Sequence, residues 1–131
     1  MKFVLDTNTL IYFFKNKGNV ARELLAIQPN KIFVPTIVAY EIHVGVQKTS
    51  STMKRANQLT QFLSSVNVLP FGYFEAVESA KVRAALEKKG QKIGPYDTLI
   101  AGVALAHKAT LVTRNIKEFD RVPKLNTVNW Y

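Results

Sequence analysis

Short apolar runs alternate along the chain with longer stretches whose apolar residues recur at helical spacing. Phe3-Val4-Leu5 is the first run and reads as a buried strand, stopped by Asp6. Ile32-Phe33-Val34 before Pro35, Val66-Asn67-Val68-Leu69 before Pro70, and Thr110-Leu111-Val112-Thr113 read as three more, with Thr127 to Trp130 as a last one. Helical patterns lie between them. Asn19 is a candidate N-cap for a helix carrying Val20, Leu24, Leu25 and Ile27 and ended by Pro29,. Thr36 is a candidate N-cap for a helix reaching about Lys48, and a further helix follows from Thr52 to Ser65,. Phe74 to Lys89 is helical in pattern, with Gly90 just past its end as a C-cap,. Asp97 to about His107 is apolar on nearly every side and is expected to be buried,. Residues 9–15, Thr-Leu-Ile-Tyr-Phe-Phe-Lys, fit strand and helix equally.

Strands alternating with helices predict βαβ units, and hence an α/β fold of three α/β/α layers around a central, mainly parallel sheet. At 131 residues, with no repeat, low-complexity tract or long linker, the chain is expected to be one domain over 1–131,. Sites in such sheets form outside the carboxyl ends of the strands, so those ends are where chemistry is sought.

Composition narrows the chemistry. There is no cysteine, which excludes disulfide scaffolds, thiol nucleophiles and iron–sulfur clusters; two histidines, His43 and His107, exclude a three-histidine zinc site,. Eighteen Lys and Arg against nine Asp and Glu give a net charge of +9, which points to a polyanionic partner,. The N-terminal apolar run is cut by Asp6 after three residues, too short for an export signal, and nothing resembles a membrane span,. A cytoplasmic location is the expectation, without a membrane partner.

In a basic chain the few carboxylates are informative. Glu23, Glu75, Glu78 and Glu87 sit among polar neighbours and read as solvated helix faces; Asp120 reads as a surface residue,. Four others differ. Asp6 stands at the end of the first strand, as a site residue or as a turn or cap,. Glu41 shares a helix face with Ile37 and Val44, where a charge needs a cationic partner or a metal,. Asp97 falls in the first turn of the apolar helix, behind Gly94 and Pro95, with Gly102 further along allowing close packing; it too could be a cap,. Glu118 follows Asn115 by three residues in a short helical turn, so the two face the same way,. Three or four carboxylates brought to one place would repel each other, and a hard divalent cation removes that problem. An acidic metal site within a basic surface suits phosphodiester hydrolysis.

Four stretches resemble, in order, the motifs of PIN-domain nucleases: Leu5-Asp6-Thr7-Asn8; Tyr40-Glu41-Ile42 with Gly45; Gly94-Pro95-Tyr96-Asp97-Thr98-Leu99-Ile100-Ala101; and Thr113-Arg114-Asn115-Ile116-Lys117-Glu118-Phe119. The nearest subgroup is the VapC-type toxins of bacterial toxin–antitoxin pairs. The ending, Arg121-Val122-Pro123 and Trp130, resembles members that cut initiator tRNA in its anticodon loop. The resemblance implies a Mg²⁺-dependent endoribonuclease, with Mn²⁺ as the alternative ion. Its metal-binding acids map to Asp6, Glu41 and Asp97. Many family members have Asp at a fourth position where this chain has Asn115, and Glu118 is the residue able to supply that charge. Arg114 and Lys117 are candidate phosphate contacts. A tRNA substrate, a cognate antitoxin lying across the acids, and a homodimer complete what the resemblance implies. The competing readings are a PIN-like module that holds RNA or protein without cutting it, and a receiver-type phosphoacceptor, which lacks here the adjacent acids after the first strand. The six glycines form no P-loop run,.

Overall fold

The computed structural model describes residues 1–131. Strands β1 (Phe3–Leu5), β2 (Ile32–Pro35), β3 (Asn67–Leu69), β4 (Thr110–Val112) and β5 (Thr127–Val128) form one sheet in the order β3-β2-β1-β4-β5. Every pairing is parallel, with Val4 opposite Phe33 on one side and Leu111 on the other. Val4, Leu5, Val34, Leu111 and Val112 have no exposed surface, as expected of short strands covered on both faces,.

Seven helices surround the sheet: α1 (Thr7–Phe14), α2 (Val20–Leu25), α3 (Thr36–Gln47), α4 (Thr52–Leu63), α5 (Tyr73–Lys88), α6 (Pro95–Ala106) and α7 (Ile116–Phe119). The chain steps outward from β1 to β2 to β3, then returns past β1 to β4 and continues to β5. Right-handed crossovers therefore put α1–α4 on one face and α5–α7 on the other. Helices α1, α2, α3 and α4 pack among themselves, and α5 packs along α6. The reversal opens a crevice between the carboxyl ends of β1 and β4,.

Several local expectations are corrected. Of residues 9–15, all but Lys15, the C-cap, are helical, and Asp6 caps α1 through its side chain. Asn19 does stand before α2, but its side chain caps nothing; its amide donates instead to the Tyr131 carbonyl at 3.1 Å. α2 ends at Leu25, before a 3-10 turn that opens on Pro29. Thr36 is the first residue of α3 rather than its cap, because β2 continues through Pro35, which pairs with Leu69. Gly90 has φ +66° and closes α5 as read: its N–H and that of Gln91 donate to Glu87 and Leu86 at 3.0 and 2.9 Å,. Gly102 lies where α6 crosses α5, and a Cβ there would stand 2.7 Å from Ser79 Cα. Phe13, Phe14 and Phe62 form a half-buried aromatic cluster against the core, with ring centroids 5.1 to 5.8 Å apart.

Candidate active site

The crevice between β1 and β4 gathers the unusual carboxylates, each delivered by the end of a different element. Asp6 follows β1 directly and is 5% exposed. Its backbone N–H donates to the Val112 carbonyl of β4 at 3.2 Å, and its Oδ1 accepts the Thr9 N–H at 2.8 Å. The Thr9 hydroxyl adds a bond to the same Val112 carbonyl at 3.0 Å. Asp6 is thus both a helix cap and a crevice residue, since capping engages one oxygen. Burial raises its pKa, hydrogen bonds from Thr113 and Thr9 oppose the rise, and Glu41 adds to it,.

Glu41 projects from α3. The buried stripe of that helix is Val38, Ile42 and Val46, not the face shared with Ile37 and Val44; Val44 is 38% exposed. Glu41 therefore stands half-buried at the edge of the stripe, where solvent ions reach it. No lysine or arginine pairs with it. The Thr7 hydroxyl donates to its Oε1 at 2.6 Å, joining α3 to the first turn of α1.

Asp97 is the third residue of α6. Gly94 occupies the N-cap position, so the Asp97 carboxylate is not used as a cap. Its pKa is raised to about 6, chiefly by burial, then by the charges of Glu118, Asp6 and Glu41. These four acids share one electrostatic neighbourhood. Glu118, from α7, accepts the Gly94 N–H on Oε1 at 3.3 Å and the Asn115 side-chain amide on Oε2 at 2.9 Å. Asn115 and Glu118 do face the same way, and the amide of one orients the carboxylate of the other.

Ion pairing and exposure together separate these acids from the rest: of the other five only Asp120 is unpaired, and it is exposed. Glu23, Glu78 and Glu87 pair with Arg22, Lys81 and Arg83, and Glu75 meets His107 at 2.7 Å. Asp6, Glu41, Asp97 and Glu118 have no cationic side chain at ion-pair distance, in a chain with 18 lysines and arginines. Glu75 itself corrects its reading as a solvated residue. Its side chain is 12% exposed, and its Oε1 accepts the Gly72 N–H at 3.0 Å. Backbone, His107 and Gly72 hydrogen bonds together hold its pKa below the ordinary carboxylate value against the effect of burial.

The donor set is oxygen only, which suits a hard cation. No three acidic or histidine side chains surround a single point at ligand distance. The arrangement fits a cation that keeps several waters and takes one or two carboxylates directly. Arg114 lies with its guanidinium 3.6 Å from the Tyr131 ring centroid, and neither it nor Lys117 is in an ion pair. Sequence reasoning gave no role to Thr7, Thr9 or Thr113, or to the Gly94 N–H. The signal available was hydroxyl residues immediately beside acids in two of the motif stretches.

Tyr40 and Tyr96 each precede a site carboxylate by one residue, and they meet with ring centroids 5.8 Å apart at 65°. The neighbouring Tyr40 hydroxyl raises the Tyr96 pKa, with burial and the Glu41 charge adding smaller contributions.

A family model for the PIN domain matches residues 3–125, and the chain belongs to that family. It is one of the VapC ribonucleases. It is 33% identical over 130 residues to a tRNA(fMet)-specific endonuclease VapC from Salmonella typhimurium, covering 99% of this chain and 98% of that protein. It is 38% identical over 132 residues to ribonuclease VapC2 from Rickettsia felis, with 99% and 98% covered. A crystal structure of VapBC2 from Rickettsia felis, bound to a DNA fragment from its promoter, superposes with a TM-score of 0.92 at 36% identity over the whole of both chains. No helix of this chain is long and apolar enough to cross a membrane.

Proposed function

We propose that this ribonuclease is a divalent-metal-dependent endonuclease that cuts tRNA, with the anticodon loop of initiator tRNA as its first candidate target, and that a cognate antitoxin blocks its cleft. The observation that carries the reading is the set of four crevice carboxylates left without cations in a chain of net charge +9. Such a set is costly unless a cation joins it.

Asp6 and Asp97 would hold a Mg²⁺ or Mn²⁺ ion, with Glu41 contributing directly or through water and Glu118 supplying the fourth charge. The bound ion supplies water activation and neutralises charge developing on the phosphoryl oxygens. Thr7 fixes the Glu41 carboxylate through its 2.6 Å hydrogen bond. Asn115 spends its amide N–H on Glu118, which leaves its carbonyl oxygen free to orient a water,. Arg114 and Lys117 would bind flanking phosphates.

The tRNA target is supported by the name of the Salmonella relative. Val122 and Trp130 of the closing stretch are 3% and 8% exposed, with Trp130 packed 5.1 Å from Phe3, so their agreement with initiator-tRNA nucleases reflects packing. The antitoxin is supported by the VapBC complex and by a groove of about 290 Å³ between α1, α3 and α4. Ile11, Phe14 and Ile42 line that groove and Glu41 closes one side, so a peptide held there reaches the acids. Homodimer formation rests on the family resemblance.

The deciding experiment is incubation of antitoxin-free protein with total tRNA, in Mg²⁺ or EDTA, beside Asp6→Asn and Asp97→Asn. Discrete fragments that require both metal and each aspartate are expected, with a drop of at least about a hundred-fold in either variant. Full activity in both variants would sink the scheme. RNA binding without metal-dependent cleavage would favour the non-cutting module.

A further inference from the structure

We propose that Tyr40 and Tyr96 form a stacking platform for one unpaired nucleobase, that of a nucleotide adjoining the phosphate held at the acids. This deepens the ribonuclease reading and rests on it for the position of the phosphate.

The two rings are out of place for structural residues. A tyrosine ring carries a large apolar area and is ordinarily covered. Tyr40 is 53% exposed and Tyr96 43%, although the helices bearing them are anchored by buried stripes. They come from different elements, α3 and α6, and touch only across the crevice mouth. An edge-to-face contact engages a face of one ring and only the edge of the other. Neither ring lies under a cation, whereas the Tyr131 ring is covered by Arg114.

Their place in the chain ties them to the chemistry. Tyr40 directly precedes Glu41 and Tyr96 directly precedes Asp97. Successive Cα atoms are about 3.8 Å apart, the Glu41 charge is felt at the Tyr96 hydroxyl, and Tyr40 touches Tyr96, so the pair borders the acids. An RNA phosphate drawn to the acids through a cation therefore brings its own or its neighbour's base to the rings. Every base has a π face, and aromatic side chains are a common platform for bases splayed from loops. A base inside a helix is already stacked on both sides and cannot use the platform. The pair thus favours loops over stems without reading hydrogen-bond patterns.

The test measures binding, so that it does not depend on cleavage. The parent protein, in Mg²⁺, is mixed in a stopped-flow cell with an RNA hairpin carrying 2-aminopurine in its loop and with a blunt duplex of the same length, and the signal is read before any fragment forms. The loop fluorophore should be quenched on binding. Adding Tyr40→Ala or Tyr96→Ala should weaken loop binding by about ten-fold and abolish the quenching, leaving duplex binding unchanged. Tyr40→Phe and Tyr96→Phe should restore the quenching, because the ring is kept. Circular dichroism melts check that all four variants fold. Equal weakening on hairpin and duplex, or no weakening, overturns the platform. So does loss of antitoxin binding with RNA binding intact, which would assign the rings to a protein partner. If the parent chain fails to cut while quenching persists, the hydrolysis reading falls and the platform stands. If it cuts and the alanine variants cut and bind as well as the parent, the platform falls alone.

Discussion

Thr7 carries more of the site than its size suggests. Its hydroxyl is the one side-chain donor to Glu41, and it follows Asp6 directly. Thr7→Val keeps the shape and removes that donor. Cleavage kcat should fall about ten-fold, the size of one hydrogen bond to a charged group, with KM little changed. Steady-state kinetics on a labelled loop RNA checks this. Asp97 allows a second prediction, of opposite sign for stability. Its pKa is raised to about 6, so the fold holds the proton more tightly than the unfolded chain does. Stability is therefore lost as pH rises from about 4 through about 6, while the fold is deprotonating a group that is already ionised when unfolded. In EDTA, Asp97→Asn should melt a few degrees above the parent chain at pH 7, with the gap closing toward about pH 4. A gap that stays constant across that range removes Asp97 as its cause. The acids themselves were legible, because a carboxylate at a buried strand end or on an apolar helix is costly unless a cation joins it. Their partners were not. Glu75 finds His107 across 32 residues of chain, and Asn19 finds Tyr131 across 112. Local pattern holds no information on such pairings, so a part-buried glutamate–histidine hydrogen bond read as a solvated face and a tertiary hydrogen bond as a cap.

The elements divide along similar lines. The strands were readable because each is a brief apolar run cut short by proline, Asp6 or a polar turn. Helix α1 was not, since Leu10, Ile11, Tyr12, Phe13 and Phe14 are apolar in succession and lose the helical period,. All five pack into or against the core, so no polar face was needed to mark the helix. The contact between α5 and α6 offers a further prediction. A Cβ at Gly102 would press on Ser79 backbone at 2.7 Å, which no rotamer change relieves. Gly102→Ala should lose roughly 1–3 kcal/mol, read as a lower urea midpoint with an unchanged slope. Because Thr98 and Asp97 share that helix with Gly102, separation of α5 from α6 should also lower cleavage activity.

For the molecule as a whole, charge is distributed by purpose. Three of the 18 lysines and arginines pair with acids, so most of the positive charge is left without a carboxylate partner. RNA affinity should fall steeply with salt, by a log–log slope of about −0.7 for each phosphate neutralised on a single strand. Filter binding from low to physiological salt measures it; a flat response would mean the basic surface does not meet RNA. The topology has a different consequence, for the moment of synthesis. β1 is made first but sits at the centre of the sheet, and the crevice beside it exists only when β4 has been made and docked. Asp6 and Glu41 leave the ribosome long before Asp97 and Glu118. On the proposed assignment of the four acids, a nascent chain holds half of the set for most of its translation, and the translation machinery would meet an active nuclease only once the last quarter of the polypeptide has emerged.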